Sequence, residues 1–180
     1  MSKKTLLWLC LGAVAVAAQL PIGASSPPAT MDGKAAFEQM KSLAGTWEGT
    51  APAMEGHPAA PVEVRYAVTS GGNAVAETLF AGTPHEMLSV YTLRGDDLVL
   101  THFCASGHHP EMKLDRTASK DGDLDFVFTR ALNFDPATDE HIHGAHFTLK
   151  DGRLTHVWSS YKGGKPSPDK LMVALTRAGG

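Results

Sequence analysis

The sequence predicts an all-β protein: an antiparallel up-and-down barrel of about eight to ten strands with a short N-terminal helix. Three observations predict it. Apolar residues recur with a period of two, as in PVEVRYAV, where Val62, Val64, Tyr66 and Val68 alternate with polar or small residues and mark a strand with one buried face. Turn signals separate the periodic runs: SGGN at 70–73, RGDD at 94–97, KDGD at 120–123 and KDGR at 150–153, with Asp-Gly among the strongest two-residue hairpin signals. A chain of hairpins is a meander, and a meander this long closes on itself because closure removes the exposed edges of an open sheet.

The first residues stand apart from that domain. MSKKTLLWLCLGAVAVAA has a lysine pair, an apolar run from Thr5 to Ala18, and small residues at Val16 and Ala18 that suit a signal peptidase. The run is short of the roughly 20 residues a spanning helix needs. Residues 1–18 therefore read as a signal peptide and the protein as periplasmic or secreted, with no stable membrane insertion after cleavage. Residues 19–33, QLPIGASSPPATMDG, read as a disordered linker of small residues and proline. The barrel domain is expected over 34–180. Removing the leader takes Lys3 and Lys4 from the 16 basic side chains and leaves 14 against 19 acidic, a formal net charge of −5. A nucleic-acid partner would want a basic face, so none is expected. Only Cys104 remains of the two cysteines, which excludes an intrachain disulfide.

Within the domain, Phe37, Met40, Lys41 and Leu43 have helical spacing, and Gly45 lies just past them where a C-terminal cap is expected. Trp47 follows, between the helix and the first strand, where it plugs the closed end of the barrel. After the strand at 61–68, strands are expected at 74–80, 86–93, 97–104, 112–118, 123–130, 141–149, 153–161 and 170–177. At KDGD a two-residue loop sets Phe126 and Phe128 opposite Thr117 and Asp115 rather than Leu114 and Met112, so a bulge or longer loop is expected there.

SLAGTWEGT at 42–50, after a short helix and before a meander, resembles the Gly-x-Trp opening of calycin-type barrels: lipocalins, fatty-acid-binding proteins and nitrobindin-like haem barrels. SGGNAVAETLFAGTPHEMLSVYTLRGDDLVLTHFCASGHHPEM at 70–112, the His-x-His of 141–143 and the LTHVW of 154–158 are similar to an exported, lipocalin-like bacterial family without an assigned function. The resemblance covers about residues 36–177 and implies a calycin-like barrel. The family often reads GNQP where this chain reads GHHP at 107–110.

Register arithmetic proposes the functional residues. With Asp151 and Gly152 as the hairpin loop, Phe147 pairs with His156, Ala145 with Trp158 and His143 with Ser160. Side chains two apart share a face, so one apolar face carries His141, His143, Phe147, Leu149, Leu154, His156 and Trp158, while His146 turns outward. The same operation at Gly95 and Asp96 places His85, Met87, Tyr91, His102 and Cys104 on one face, with Leu88, Val90, Val99 and Phe103 opposite. Both faces are apolar, so the pattern does not say which is interior.

The first reading is a barrel that binds a small molecule in a lumen lined by Tyr91, His102, His141, His143, Phe147, His156 and Trp158. A second is a zinc or copper site, or a metal-dependent enzyme, built on His102, Cys104, His141 and His143, with His156 or His85 as further ligands. A third is haem with an axial histidine, implied only by the nitrobindin analogy. No nucleophile elbow, zinc-protease helix, phosphate loop or dinucleotide fingerprint appears, so a binding protein is expected ahead of an enzyme. Glu77, a carboxylate in the apolar run AVAETLF, reads either as a partner of Arg65 or Arg130 in the barrel wall or as a solvated residue.

Overall fold

Asp32 opens the first element: its carboxylate accepts a hydrogen bond from the Lys34 N–H at 3.1 Å and caps helix α1 (Gly33–Ser42). The helix buries Ala36, Phe37 and Met40 and ends before Leu43, also buried. Gly45, at φ 126°, then leads into the first strand. The computed structural model describes residues 30–53 and 58–179. The expected leader and most of the linker lie outside the described residues. The linker's last residues do not follow the expectation: Met31 donates to the Arg116 carbonyl at 2.7 Å and its own carbonyl accepts from Arg116 Nε at 2.8 Å, so the domain begins ahead of residue 34.

Ten antiparallel strands follow: β1 (Gly45–Ala51), β2 (Ala60–Thr69), β3 (Ala74–Leu79), β4 (Met87–Arg94), β5 (Asp97–Phe103), β6 (Pro110–Leu114), β7 (Asp123–Ala131), β8 (His141–Lys150), β9 (Arg153–Lys162) and β10 (Lys165–Arg177). Each pairs with its neighbours in sequence, and β1 pairs with β10, which closes the barrel. The expected all-β up-and-down barrel is thus the fold. β1 itself was not among the expected strands, because GTWEGTA has no alternation; only Trp47 is buried along it. Gly49 is what lets it pack, since a Cβ there would sit 2.1 Å from the Ala174 carbonyl oxygen.

The hairpins follow the turn chemistry. Asp151 and Gly152 both have positive φ, 51° and 74°, the geometry of a type I′ turn, and Lys150 pairs with Arg153 as the sequence requires. KDGD closes only a local turn, with a single bridge between Lys120 and Asp123. β6 ends early, at Leu114 rather than 118, and the longer loop that results restores the apolar match: Leu114 pairs with Phe126 and Met112 with Phe128.

α1 and Trp47 close one end. Lys34 pairs with Asp96 at 2.9 Å in the β4–β5 turn, and Gln39 accepts from the Gly122 N–H at 3.1 Å. Trp47 is 1% exposed, donates from Nε1 to the Leu43 carbonyl at 2.8 Å and lies under the Arg177 guanidinium, as a plug should. Inside, Tyr66, Leu79, Tyr91, Leu100, Met112, Phe126, Phe147 and Trp158 are each 0–3% exposed. The face of β4 and β5 that looks inward is now fixed: Tyr91 and His102 are buried, while Leu88 and Phe103 are more than a third exposed.

Candidate functional site

A row of polar side chains crosses four neighbouring strands on the inner wall. Tyr66 of β2 pairs with Glu77 of β3, Glu77 with Ser89 of β4, and Ser89 with His102 of β5. Paired residues share a face, so strand register alone brings these four together. Glu77 is in phase with Val75 and Leu79, which is why an acidic residue ends up fully enclosed. It does not meet Arg65 or Arg130, which pair with Glu63 and Glu111 instead.

Hydrogen bonds tie the row together. Tyr66 donates its hydroxyl to Glu77 Oε1 at 2.7 Å, and Tyr91 donates to Oε2 at 2.6 Å. His156 of β9 reaches across the lumen, with Nε2 at 2.8 Å from the Tyr66 hydroxyl. When Glu77 is ionised that hydroxyl gives its proton to the carboxylate and His156 donates from Nε2, which leaves Nδ1 as an acceptor. Nδ1 lies 3.5 Å from Glu77 Oε1 and has no hydrogen-bond partner. Ser89 Oγ and His102 Nδ1 are 3.0 Å apart, and His102 Nε2 is likewise unpartnered. Trp158 Nε1 is the third orphan. Its ring lies 5.0 Å from His102 and 5.6 Å from Phe147.

Burial sets the charge state. It pushes the Glu77 carboxyl up to about 7, against the lowering effect of hydrogen bonds from Tyr91, Tyr66 and Ser89. It pushes His156 down to about 3, and His102 down to about 4 with a further contribution from His109. Both histidines are therefore neutral at physiological pH. The Tyr66 and Tyr91 hydroxyls are raised well above the usual phenol range, first by burial and then by the Glu77 charge.

The other two candidate histidines lie elsewhere. Strict alternation puts His141 and His143 inward, with His143 opposite Ser160. A β-bulge corrects this: Gly144 pairs with Ser159 and Ile142 with Ser160, so His143 is the extra residue and Ile142 takes the inward place against the core. Gly144 permits the close approach, since a Cβ there would lie 2.9 Å from Ser159 Oγ. His141 and His143 turn instead to the seam between β7 and β8, whose pairing stops at Val127 and Gly144. His143 stacks on Phe128 at 4.6 Å and on Tyr161 at 3.6 Å. His141 Nε2 lies 3.0 Å from His143 Nδ1, and its ring is covered by Phe128 and Phe134. Burial and the neighbouring His141 lower the pKa of His143. On the outer side of the seam a groove of about 430 Å³ runs past Val127, His143, His146, Ser159 and Tyr161. His146 faces outward as expected, between Asp123 at 2.9 Å and Asp125 at 2.8 Å.

The seven candidate lining residues thus fall into two groups. Tyr91, His102, Phe147, His156 and Trp158 share the lumen; His141 and His143 form the seam. The four residues of the metal reading do not converge. Cys104 lies beside Met87, with its thiol 3.8 Å from the thioether sulfur, and His85 is exposed. Among the described residues no three of His, Cys, Asp or Glu come together as a set that would hold a metal ion.

Glu77, Tyr66 and Ser89 belong to the lumen group but were not among the residues proposed from sequence. The parity of Glu77 with Val75 and Leu79 was the available signal. No protein-family model matches the chain, and no curated protein is similar to it at a significant level.

Proposed function

We propose that this chain is an exported barrel that binds a small molecule in its lumen, against Glu77, His102, His156 and Trp158. The observation that carries this reading is the trio of unpartnered polar atoms, His102 Nε2, His156 Nδ1 and Trp158 Nε1, on neighbouring buried side chains. Each costs about 1–3 kcal/mol as long as it stays unsatisfied. A guest with a hydrogen-bond donor and an acceptor removes that cost and gains the aromatic contact of Tyr91, Phe147 and Trp158.

The rings that form the site are packed on one another and 0–3% exposed, so a guest enters by displacing them. The seam offers the route. There the β7–β8 ladder is open, side-chain rings take the place of backbone hydrogen bonds, and the outer groove leads to Phe128 and His143. Export is supported by the lysine pair and apolar run of residues 3–18. Intact mass of the exported protein should give a chain starting at or near Gln19.

The test is a fragment screen by ligand-observed NMR, followed by titration with tryptophan fluorescence as the readout. Hits should be lost in His156→Phe, which removes the acceptor and retains an aromatic ring, and kept in His146→Ala on the outer wall. Hits that bind the two variants in the reverse order would place the ligand outside the barrel and defeat the reading.

A further inference from the structure

We propose that the lumen selects its ligand by charge, taking an organic ammonium in preference to a neutral or anionic molecule of the same shape. This rests on the lumen-binding reading above and names its ligand class.

The argument starts from which charges the interior holds. Among the described residues no Lys or Arg is buried. The ionisable groups of the lumen are the Glu77 carboxyl, the two phenols that donate to it, and His102 and His156, both neutral. An anion brought here finds no countercharge, and Glu77 repels it once ionised. A buried charge without a partner costs several kcal/mol.

An ammonium meets the opposite conditions. Glu77 lies among the rings of Tyr66, Tyr91 and His156, with Phe147 4.7 Å from His156 and 6.1 Å from Tyr91. Aromatic faces attract cations, more so when desolvated. His156 adds a bare acceptor 3.5 Å from Glu77 Oε1. Carboxylate, acceptor and ring faces are the partners an R–NH₃⁺ group requires.

The Glu77 proton supplies a signature. The groups facing it are Tyr66 from β2, Ser89 and Tyr91 from β4, and His156 from β9, with His102 of β5 beyond Ser89. None is cationic at neutral pH, so Glu77 retains a proton up to about pH 7. An ammonium bound beside it favours the ionised carboxylate and expels that proton to solvent. Affinity for the ammonium therefore rises with pH through this range, while affinity for a neutral ligand does not.

The experiment compares 2-phenylethylammonium, 2-phenylethanol and phenylacetate by calorimetry on the full mature chain, at about pH 6 and pH 8. The expected order is ammonium, alcohol, acid, with at least about a tenfold advantage of ammonium over alcohol at pH 8. At pH 6, titrations in buffers of different ionisation enthalpy should show about one proton released per ammonium bound. Glu77→Gln should abolish both the advantage and the proton release. The pH and buffer measurements on the parent protein stand alone if that variant does not fold. Phenylacetate binding as well as the ammonium, or an ammonium preference without proton release, overturns the proposal. If none of the three binds while other fragments do, the ammonium proposal falls and lumen binding stands; if no fragment binds, both fall.

Discussion

Acidification from about pH 7 to pH 4 perturbs the interior without changing a residue. His102 and His156 are held at about 4 and about 3, against about 6.5 in an unfolded chain. With folded values depressed, the unfolded state takes up these protons first, so stability is lost as the pH falls from about 6.5 towards 4 and 3. Glu77 has the opposite sign. Its folded value of about 7 exceeds the unfolded value of 4.5, the folded state takes the proton first, and stability is gained as the pH falls through that window. Between about pH 6.5 and 4.5 two protons favour unfolding and one favours folding. The net of one gives a slope of about 1.4 kcal/mol per pH unit, or about 3 kcal/mol over the window. In Glu77→Gln the opposing proton is gone, and the slope should double to about 2.8 kcal/mol per unit. Urea unfolding at half-unit pH intervals, followed by far-UV circular dichroism, reads both slopes. Other titrating groups, His143 among them, are common to the two proteins and cancel in the comparison. Equal slopes in parent and variant would mean that Glu77 is not protonated in the folded protein, and the description of the lumen's charge would be wrong.

Trp47→Ala should lower stability by about 3–5 kcal/mol in denaturant titrations, because it empties a site 1% exposed and removes the bond to Leu43; coincident curves would show that Trp47 does not plug the barrel. Gly144→Ala should cost about 1–3 kcal/mol, since the new Cβ meets Ser159 Oγ at 2.9 Å and the Phe126 carbonyl oxygen at 3.3 Å; an unchanged melt would refute the close approach at the bulge. Deleting His143 should leave a folded barrel, because Ile142 and Gly144 already pair with consecutive residues of β9. Deleting Ala145, inside the regular ladder, should abolish cooperative unfolding by turning the rest of the strand over.

Most of the barrel was legible because its hairpins carry their own instructions. At Asp151 and Gly152, and at Gly95 and Asp96, turn chemistry fixes the loop length, loop length fixes the register, and the register gave pairs from Leu149–Leu154 to Ser89–His102 that the structure contains. Where the turn was not a two-residue hairpin the apolar match decided, and it correctly demanded extra residues between β6 and β7. β1 escaped because it holds one inward side chain of any size and relies on glycine for close packing, which leaves no period to read.

The candidate site was legible only as far as alternation held. A bulge has no strong local signature; the small residue after His143 is the sole hint, and a glycine in a strand has other uses. One inserted residue was enough to separate His141 and His143 from the lumen and to hand their place to Ile142. The inner face of β4 and β5 was ambiguous for the opposite reason, since both faces are apolar and only closure says which one is enclosed. Glu77 shows how the two kinds of information combine. Its parity with Val75 and Leu79 puts it inside, yet a lone carboxylate inside an apolar barrel is costly enough that a solvated position was an equal competitor. What reverses that preference is the pairing of β2, β3 and β4, which sets Tyr66 directly opposite Glu77 and brings the Tyr91 hydroxyl to its other oxygen. Those partners are 11 and 14 residues away in sequence. They become visible only once the registers of two successive hairpins are known together, which is why the most chemically active group of the lumen was the one the sequence left undecided.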